Sequence, residues 1–306
     1  MLDSLIGNTP IVKFKSLSID SSIFGKLEFL NPGGSLKDRT ALSLINAAES
    51  SGKLKYGMTI VESSSGNLGI ALAMLCAARG YNFICVVDIK TPKATIDILS
   101  IFGSEVIIVE KGEAVGGMQA ARIKIVQELV KSNPNTINLD QYNNPAAQSI
   151  HAVTAEEICN YGLSSIEYLV CSVSTGSHVS GISVKLKEAY PKLKVVAVEP
   201  VGSVVFGGKF LPFKQNGVGL SFVPGNYNRD IIDIQIKVTD DSAFKMVKYI
   251  ARREGILLGP SSGGVLTAAQ HIATNYKGVN IVSILPDGGA KYASQIKEIT
   301  EGLGCD

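Results

Sequence analysis

Short apolar runs alternate with longer amphipathic ones along nearly the whole chain. "TIVESS" precedes "NLGIALAMLCAARG", "YNFICVVD" precedes "KATIDILSIFG", and "EVIIVE" precedes "MQAARIKIVQELV". Farther on, "EYLVCSV" leads into "VSGISVKLKEAY", "KVVAVEP" follows, and "NIVSILP" lies near the end. A short continuous apolar run fits a strand buried on both faces, and helical spacing of apolar residues fits a helix laid against it. The pattern therefore predicts an α/β protein with mostly parallel sheets. One stretch breaks it: residues 200–230 are rich in Gly and aromatic residues and carry no clear period, which predicts loops over a site. No internal repeat, charge block or low-complexity linker interrupts the rest.

Composition narrows the classes. At 306 residues the chain suits about two domains, and 45% hydrophobic content can fill large cores. A net charge of +2 gives no electrostatic case for nucleic acid or an anionic membrane. No apolar stretch is long enough to span a bilayer, and Asp3 argues against a signal peptide. The cysteines, Cys76, Cys85, Cys159, Cys171 and Cys305, are odd in number and scattered. They are expected to be reduced thiols of a cytoplasmic protein, with no metal or disulfide role.

In parallel α/β sheets ligands bind beyond the carboxyl ends of strands, so the segments that follow strands carry the chemistry. "SSSGNLG" (63–69) gathers hydroxyls, a glycine and Asn67 at a helix start, a place suited to a substrate carboxylate. "STGSHVSG" (174–181) fits neither nucleotide-binding glycine motif and suits a single phosphate monoester. His178 reads there as a polar helix-start residue. "GILLGPSSGG" (255–264) opens another helix, where Ser261 or Ser262 could cap it or bond a ligand ring. "LPDGGAKY" (285–292) reads as a turn with Lys291 solvated on the surface.

The remaining signal is "NPGGSLKDRT" (31–40), a turn running into a helix with Ser35 as its expected N-cap. Lys37 then falls in the first turn, where the helix dipole disfavours a cation by roughly 0.3–1 kcal/mol. The same field favours a neutral, nucleophilic amine. A reactive amine, a carboxylate loop and a phosphate cup together point to pyridoxal phosphate and an amino-acid substrate.

These segments, with "GNTPIV", "DQYNNPAA", "VAVEP" and "GVGLSFVPGN", resemble the cysteine synthase and cystathionine β-synthase family over nearly the whole chain. The resemblance implies the tryptophan-synthase-β-like fold with two three-layer αβα domains. Residues 36–145 would form a smaller mobile substrate-loop domain, and 1–35 with 146–306 the larger pyridoxal-phosphate domain. It makes Lys37 the Schiff-base lysine and catalytic base, and sets Asn67 at the cofactor's phenolic oxygen. Ser174, Thr175, Gly176, Ser177 and His178 would line the phosphate cup, with Ser261 at the ring nitrogen, leaving the ring a weak electron sink. Ser64, Ser65, Gly66, Asn67 and Gln141 would hold substrate, joined by Met118, Gly217 and Ser221.

The implied reaction is β-replacement on O-phospho- or O-acetyl-L-serine through an aminoacrylate, in a cytoplasmic homodimer. Ser64 and Leu68 depart from the usual cysteine-synthase loop, and "VVDIK", "VSTGS" and "GSVVFG" resemble N-(2-amino-2-carboxyethyl)-L-glutamate synthase of siderophore biosynthesis. An amine acceptor such as glutamate is therefore expected ahead of sulfide, with cystathionine synthesis or cysteine desulfhydration behind. Met118 is the cysteine-synthase-like residue at its position. The short run after "LPDGG" leaves no expectation of a regulatory or haem-binding extension.

Overall fold

The computed structural model describes residues 2–114 and 116–303. Its strands and helices follow one another as β1 (Ile11–Lys13), β2 (Ser22–Leu27), α1 (Lys37–Ser50), β3 (Thr59–Ser63), α2 (Asn67–Arg79), β4 (Asn82–Asp88), α3 (Lys93–Ile101) and β5 (Glu105–Val109). Then come α4 (Gly117–Ser132), β6 (Thr136–Asn138), α5 (Ala146–Ser149), α6 (His151–Asn160), β7 (Tyr168–Ser172), α7 (Ser177–Ala189) and β8 (Lys194–Pro200). The chain continues through β9 (Ile234–Val238), α8 (Asp240–Glu254), α9 (Pro260–Asn275), β10 (Asn280–Leu285) and α10 (Ala293–Glu301). Every strand and helix singled out from the periodicity is present. The irregular stretch holds no long element between Pro200 and the short helix at Arg229–Ile231.

Two sheets result. One has six strands in the order β1-β2-β10-β7-β8-β9, the other four in the order β5-β4-β3-β6. Among these strand pairs only β1 with β2 runs antiparallel. Both faces of the larger sheet are covered, which explains its unbroken apolar strands. Leu169 and Cys171 of β7 face Val179, Ile182 and Leu186 of α7, whereas Val170 and Val196 face Val265 and Ala269 of α9. The smaller sheet repeats the arrangement. Ile60 and Cys85 pack against Leu44 of α1 and Leu72 of α2, while Val61 and Val86 pack against Ala121 and Val126 of α4. Each sheet is thus the middle of three layers, as the α/β reading requires.

Cys76, Cys85 and Cys171 are buried and unbridged, and Cys159 is half-buried and also free. Cys305 lies outside the described residues. No helix among the described residues is long and apolar enough to cross a membrane.

Candidate active site

The ends of β3, β4, β7 and β10 deliver the polar loops to one region. There Lys37, Ser64, Ser65, Gly66, Asn67, Met118, Gln141, Ser174, Gly217 and Ser221 line a single cavity of about 630 Å³. Three other expected residues, Thr175, Ser177 and His178, together with Gly176 and Ser261, are not on that wall. Thr175 and Ser177 connect to it through Lys37, and Ser261 through Asp287 and Asn67.

Lys37 begins α1 one residue later than expected. Leu36 takes the N-cap position and makes no side-chain cap, while Ser35 Oγ, one residue farther out, accepts the Lys37 N–H at 3.2 Å. The ammonium donates to Thr175 Oγ1 at 3.3 Å, and that oxygen lies 3.2 Å from Ser177 Oγ. Burial is the largest influence on the amine and pushes it down to about 8, with the Glu62 carboxylate pulling the other way. Glu62 is itself buried and pushed up to about 7, and its Oε2 has no hydrogen-bond partner.

The turn before Lys37 is shaped by its own helix. Asp38 Oδ2 accepts the Gly33 N–H at 2.5 Å, and a Cβ on residue 33 would lie 2.6 Å from Asp38 Oδ1. Gly33 therefore clears a buried carboxylate. Behind the turn, Arg39 joins Glu28 and Glu157 at 2.7 Å each, and Lys26 reaches Glu157 at 2.5 Å. This buried network fixes the start of α1 and so the root of the Lys37 side chain.

In the serine-rich loop the hydroxyls do different work. Ser64 Oγ accepts from Gly69 N at 2.9 Å, capping the first turn of α2, and its own O–H remains available to a ligand. Gln141 spends its amide on the Ser63 carbonyl at 3.0 Å, which ties the loop to the segment after β6. Gly176 has φ of +80°, and a Cβ there would meet the Tyr227 backbone at 2.5 Å, so the cup tolerates only glycine at that point.

His178 is buried inside the first turn of α7, and its Nε2 has no partner. Burial and the Lys37 ammonium push the imidazole down to about 3. Its neighbour ring is His151, 6.1 Å away.

Two expectations about the fourth loop fail. Lys291 is not solvated: it bonds Asn67 Oδ1, lies 3.3 Å from Asp287 and lines the cavity. Nor is "PDGG" only a turn. Asp287 is fully buried and accepts from Asn67 Nδ2 at 2.9 Å, Tyr292 O–H at 2.8 Å and Ser261 O–H at 3.4 Å. Turn chemistry masked both residues in the sequence, because Pro-Asp-Gly explains itself locally.

Two more wall residues, Gln119 and Arg122, carry no role in the sequence reading. Gln119 accepts from Ser221 at 3.1 Å and donates to the Tyr142 hydroxyl at 3.0 Å, joining α4 to the 217–221 loop. Arg122 is buried 3.3 Å from Asp88 with its Nε making no hydrogen bond. Their signal was present: Met118 and Arg122 are four apart on α4, hence on one face.

With the geometry in place, comparison with known proteins is informative. The model of the family described as pyridoxal-phosphate dependent enzyme matches residues 2–287. A cysteine synthase of Staphylococcus aureus is 38% identical over 299 residues, covering 96% of this chain and 95% of that protein. The crystal structure of an O-acetylserine dependent cystathionine beta-synthase from Helicobacter pylori superposes with a TM-score of 0.90 at 31% identity, covering 96% and 97% of the two chains. An O-ureido-L-serine synthase structure gives 0.92 at 33% identity, over 100% of this chain and 96% of that one. The chain belongs to the pyridoxal-phosphate dependent enzymes, in the group that contains cysteine synthase and cystathionine beta-synthase.

Proposed function

We propose that this pyridoxal-phosphate enzyme replaces the β-substituent of O-phospho- or O-acetyl-L-serine with the amine of a second amino acid such as glutamate. The observation that carries the β-replacement reading is Lys37, a cavity-wall amine pushed down to about 8 between the serine-rich loop and the 174–178 cup. An ordinary lysine is almost wholly protonated at neutral pH. This one has a usable neutral fraction, so it can hold the cofactor covalently and then act as a base.

The residues present fit pyridoxal phosphate. The Thr175 and Ser177 hydroxyls supply donors for a phosphate beside the N-terminus of α7, where no side-chain cap competes. Asn67 keeps a second amide hydrogen for the phenolic oxygen, and by the family resemblance Ser261 would face the ring nitrogen. When bound, the cofactor supplies an aldehyde carbon for an amine and a ring that draws electrons from the substrate α-carbon. Lys37 Nζ would hold the cofactor and, in its neutral form, would accept the substrate α-proton. The Ser64 and Ser65 hydroxyls and the free N–H groups of the loop hold the substrate carboxylate, and residues 36–145 close as a smaller unit over it.

Support for an amine acceptor over sulfide comes from the wall, where Gln119, Arg122, Lys90 and Thr91 join Met118 and give polar and cationic side chains that an amino-acid acceptor could use and sulfide could not. A sulfide acceptor is the second reading, supported by the 38% identity to a cysteine synthase. The family resemblance adds a homodimer to the proposal, and the scattered cysteines a cytoplasmic setting. Incubating the holoenzyme with O-phosphoserine or O-acetylserine and either glutamate, homocysteine or sulfide, then weighing the product by mass spectrometry, tests the reading. An N-linked glutamate adduct supports it. Cysteine as the dominant product would replace it with the second reading, and no product with any donor would refute both.

A further inference from the structure

Asn67 opens α2 on the cavity wall, and both ends of its amide are held by charged groups. Its Oδ1 accepts from the Lys291 ammonium, and its Nδ2 donates to Asp287 Oδ2 at 2.9 Å. These two partners come from one segment, four residues apart, and lie 3.3 Å from each other. Asp287 is fully buried and anchored by the Tyr292 O–H at 2.8 Å, so it is the fixed end of the arrangement. Lys291 lines the cavity and is the accessible end.

A carboxamide can turn end for end, exchanging donor for acceptor with little change of shape. Here the exchange is opposed twice. A turned amide would set its carbonyl oxygen against a carboxylate and its NH2 group against an ammonium. The cation and the anion therefore select one orientation, in which the remaining amide hydrogen is what Asn67 offers a ligand. A donor held that way suits an anionic oxygen. The phenolic oxygen of pyridoxal phosphate sits on the ring carbon next to the one bearing the aldehyde, so it must lie close to Lys37 Nζ, on the wall that Lys37 and Asn67 share.

We propose that Lys291 is a positioning residue: working against Asp287, it locks the Asn67 amide so that the free N–H meets the phenolic oxygen of bound pyridoxal phosphate and keeps that oxygen ionised. This rests on the reading that Asn67 meets that oxygen, and it is independent of which acceptor the enzyme uses. It also gives the second lysine near the amide a role distinct from that of Lys37.

The test is the absorbance spectrum of the holoenzyme at one pH. The cofactor gives a visible band when its phenolic oxygen is ionised and a near-ultraviolet band when that oxygen carries a proton. K291M removes the cation from the accessible end and leaves Asp287 in place. Its ratio of near-ultraviolet to visible absorbance should rise about fivefold, the factor that one net hydrogen bond carries. K291R keeps a cation and should stay near wild type. Because the lysine acts through the amide, K291M in an N67A background should add nothing to the shift that N67A makes alone. An unchanged ratio in K291M would overturn the proposal, as would a K291R ratio equal to that of K291M. A K291M shift of the same size with and without Asn67 would assign the effect to the ammonium's own field and overturn it too. An N67A ratio equal to wild type would overturn the placement of Asn67, and the proposal with it, while leaving the product assay for β-replacement untouched.

Discussion

At the scale of single residues, the account turns on where protons sit. Lys37 was conspicuous in the sequence because a cation in a first helical turn is disfavoured. The structure keeps that conclusion and changes its main cause, since burial exceeds every other influence on the amine. The sign of the pH effect follows. Below about 8 the amine is an ammonium and cannot attack an aldehyde; above it the neutral form dominates. Stopped-flow capture of pyridoxal phosphate by the apoprotein should therefore accelerate through a midpoint near 8, and a midpoint above 10 would contradict the burial argument. Gly33 supplies a second residue-scale prediction. G33A forces a methyl against the Asp38 carboxylate, and loss of about 1–3 kcal/mol in urea denaturation is expected. His178 sits in the first turn of its helix, as the sequence implies; what its letter cannot show is a buried, unpartnered Nε2.

At the scale of elements, periodicity exposed the buried strands and the helices on them because both faces of each sheet are covered. It passed over the strands β1, β2, β6 and β9, and the helices α5, α6, α8 and α10. Those strands have no long apolar run, and α8 is charged enough to hide its buried stripe of Ala243, Phe244, Val247 and Ile250. Nothing in local pattern announced the ionic network beneath α1 either, since its members come from residues 26, 28, 39 and 157. Removing the central cation leaves the buried Glu28 without a paired cation and Glu157 with Lys26 alone. R39M is expected to lose about 3–5 kcal/mol of stability and to loosen the turn that roots Lys37. The same substitution should weaken cofactor retention in dialysis, whereas retention equal to wild type in a destabilised R39M would separate the network from the site. Helix packing gives a comparable case at Gly181, whose Cβ would lie 2.3 Å from the Gln148 carbonyl. G181A should lower the denaturation midpoint without moving the visible absorbance of the bound cofactor.

At the scale of the whole molecule, two three-layer units meet over one cavity, and the loops from both line it. That convergence was legible because ligands in parallel sheets gather at strand ends, so the polar segments after strands could be read as one site. What escaped was the linkage across the chain. Asp287 meets Asn67 and Ser261 across 220 and 26 residues, and Gln119 meets Ser221 across 102. Contacts of that range leave no trace in local spacing. The central claim is that Lys37 is the amine that holds the cofactor, and the cavity offers a rival in Lys291, with Lys90 farther along the wall. Borohydride reduction of the holoenzyme, followed by proteolysis and mass spectrometry, tests the claim most directly. The phosphopyridoxyl group is expected on the peptide containing Lys37; finding it on Lys291 or Lys90 would refute that assignment.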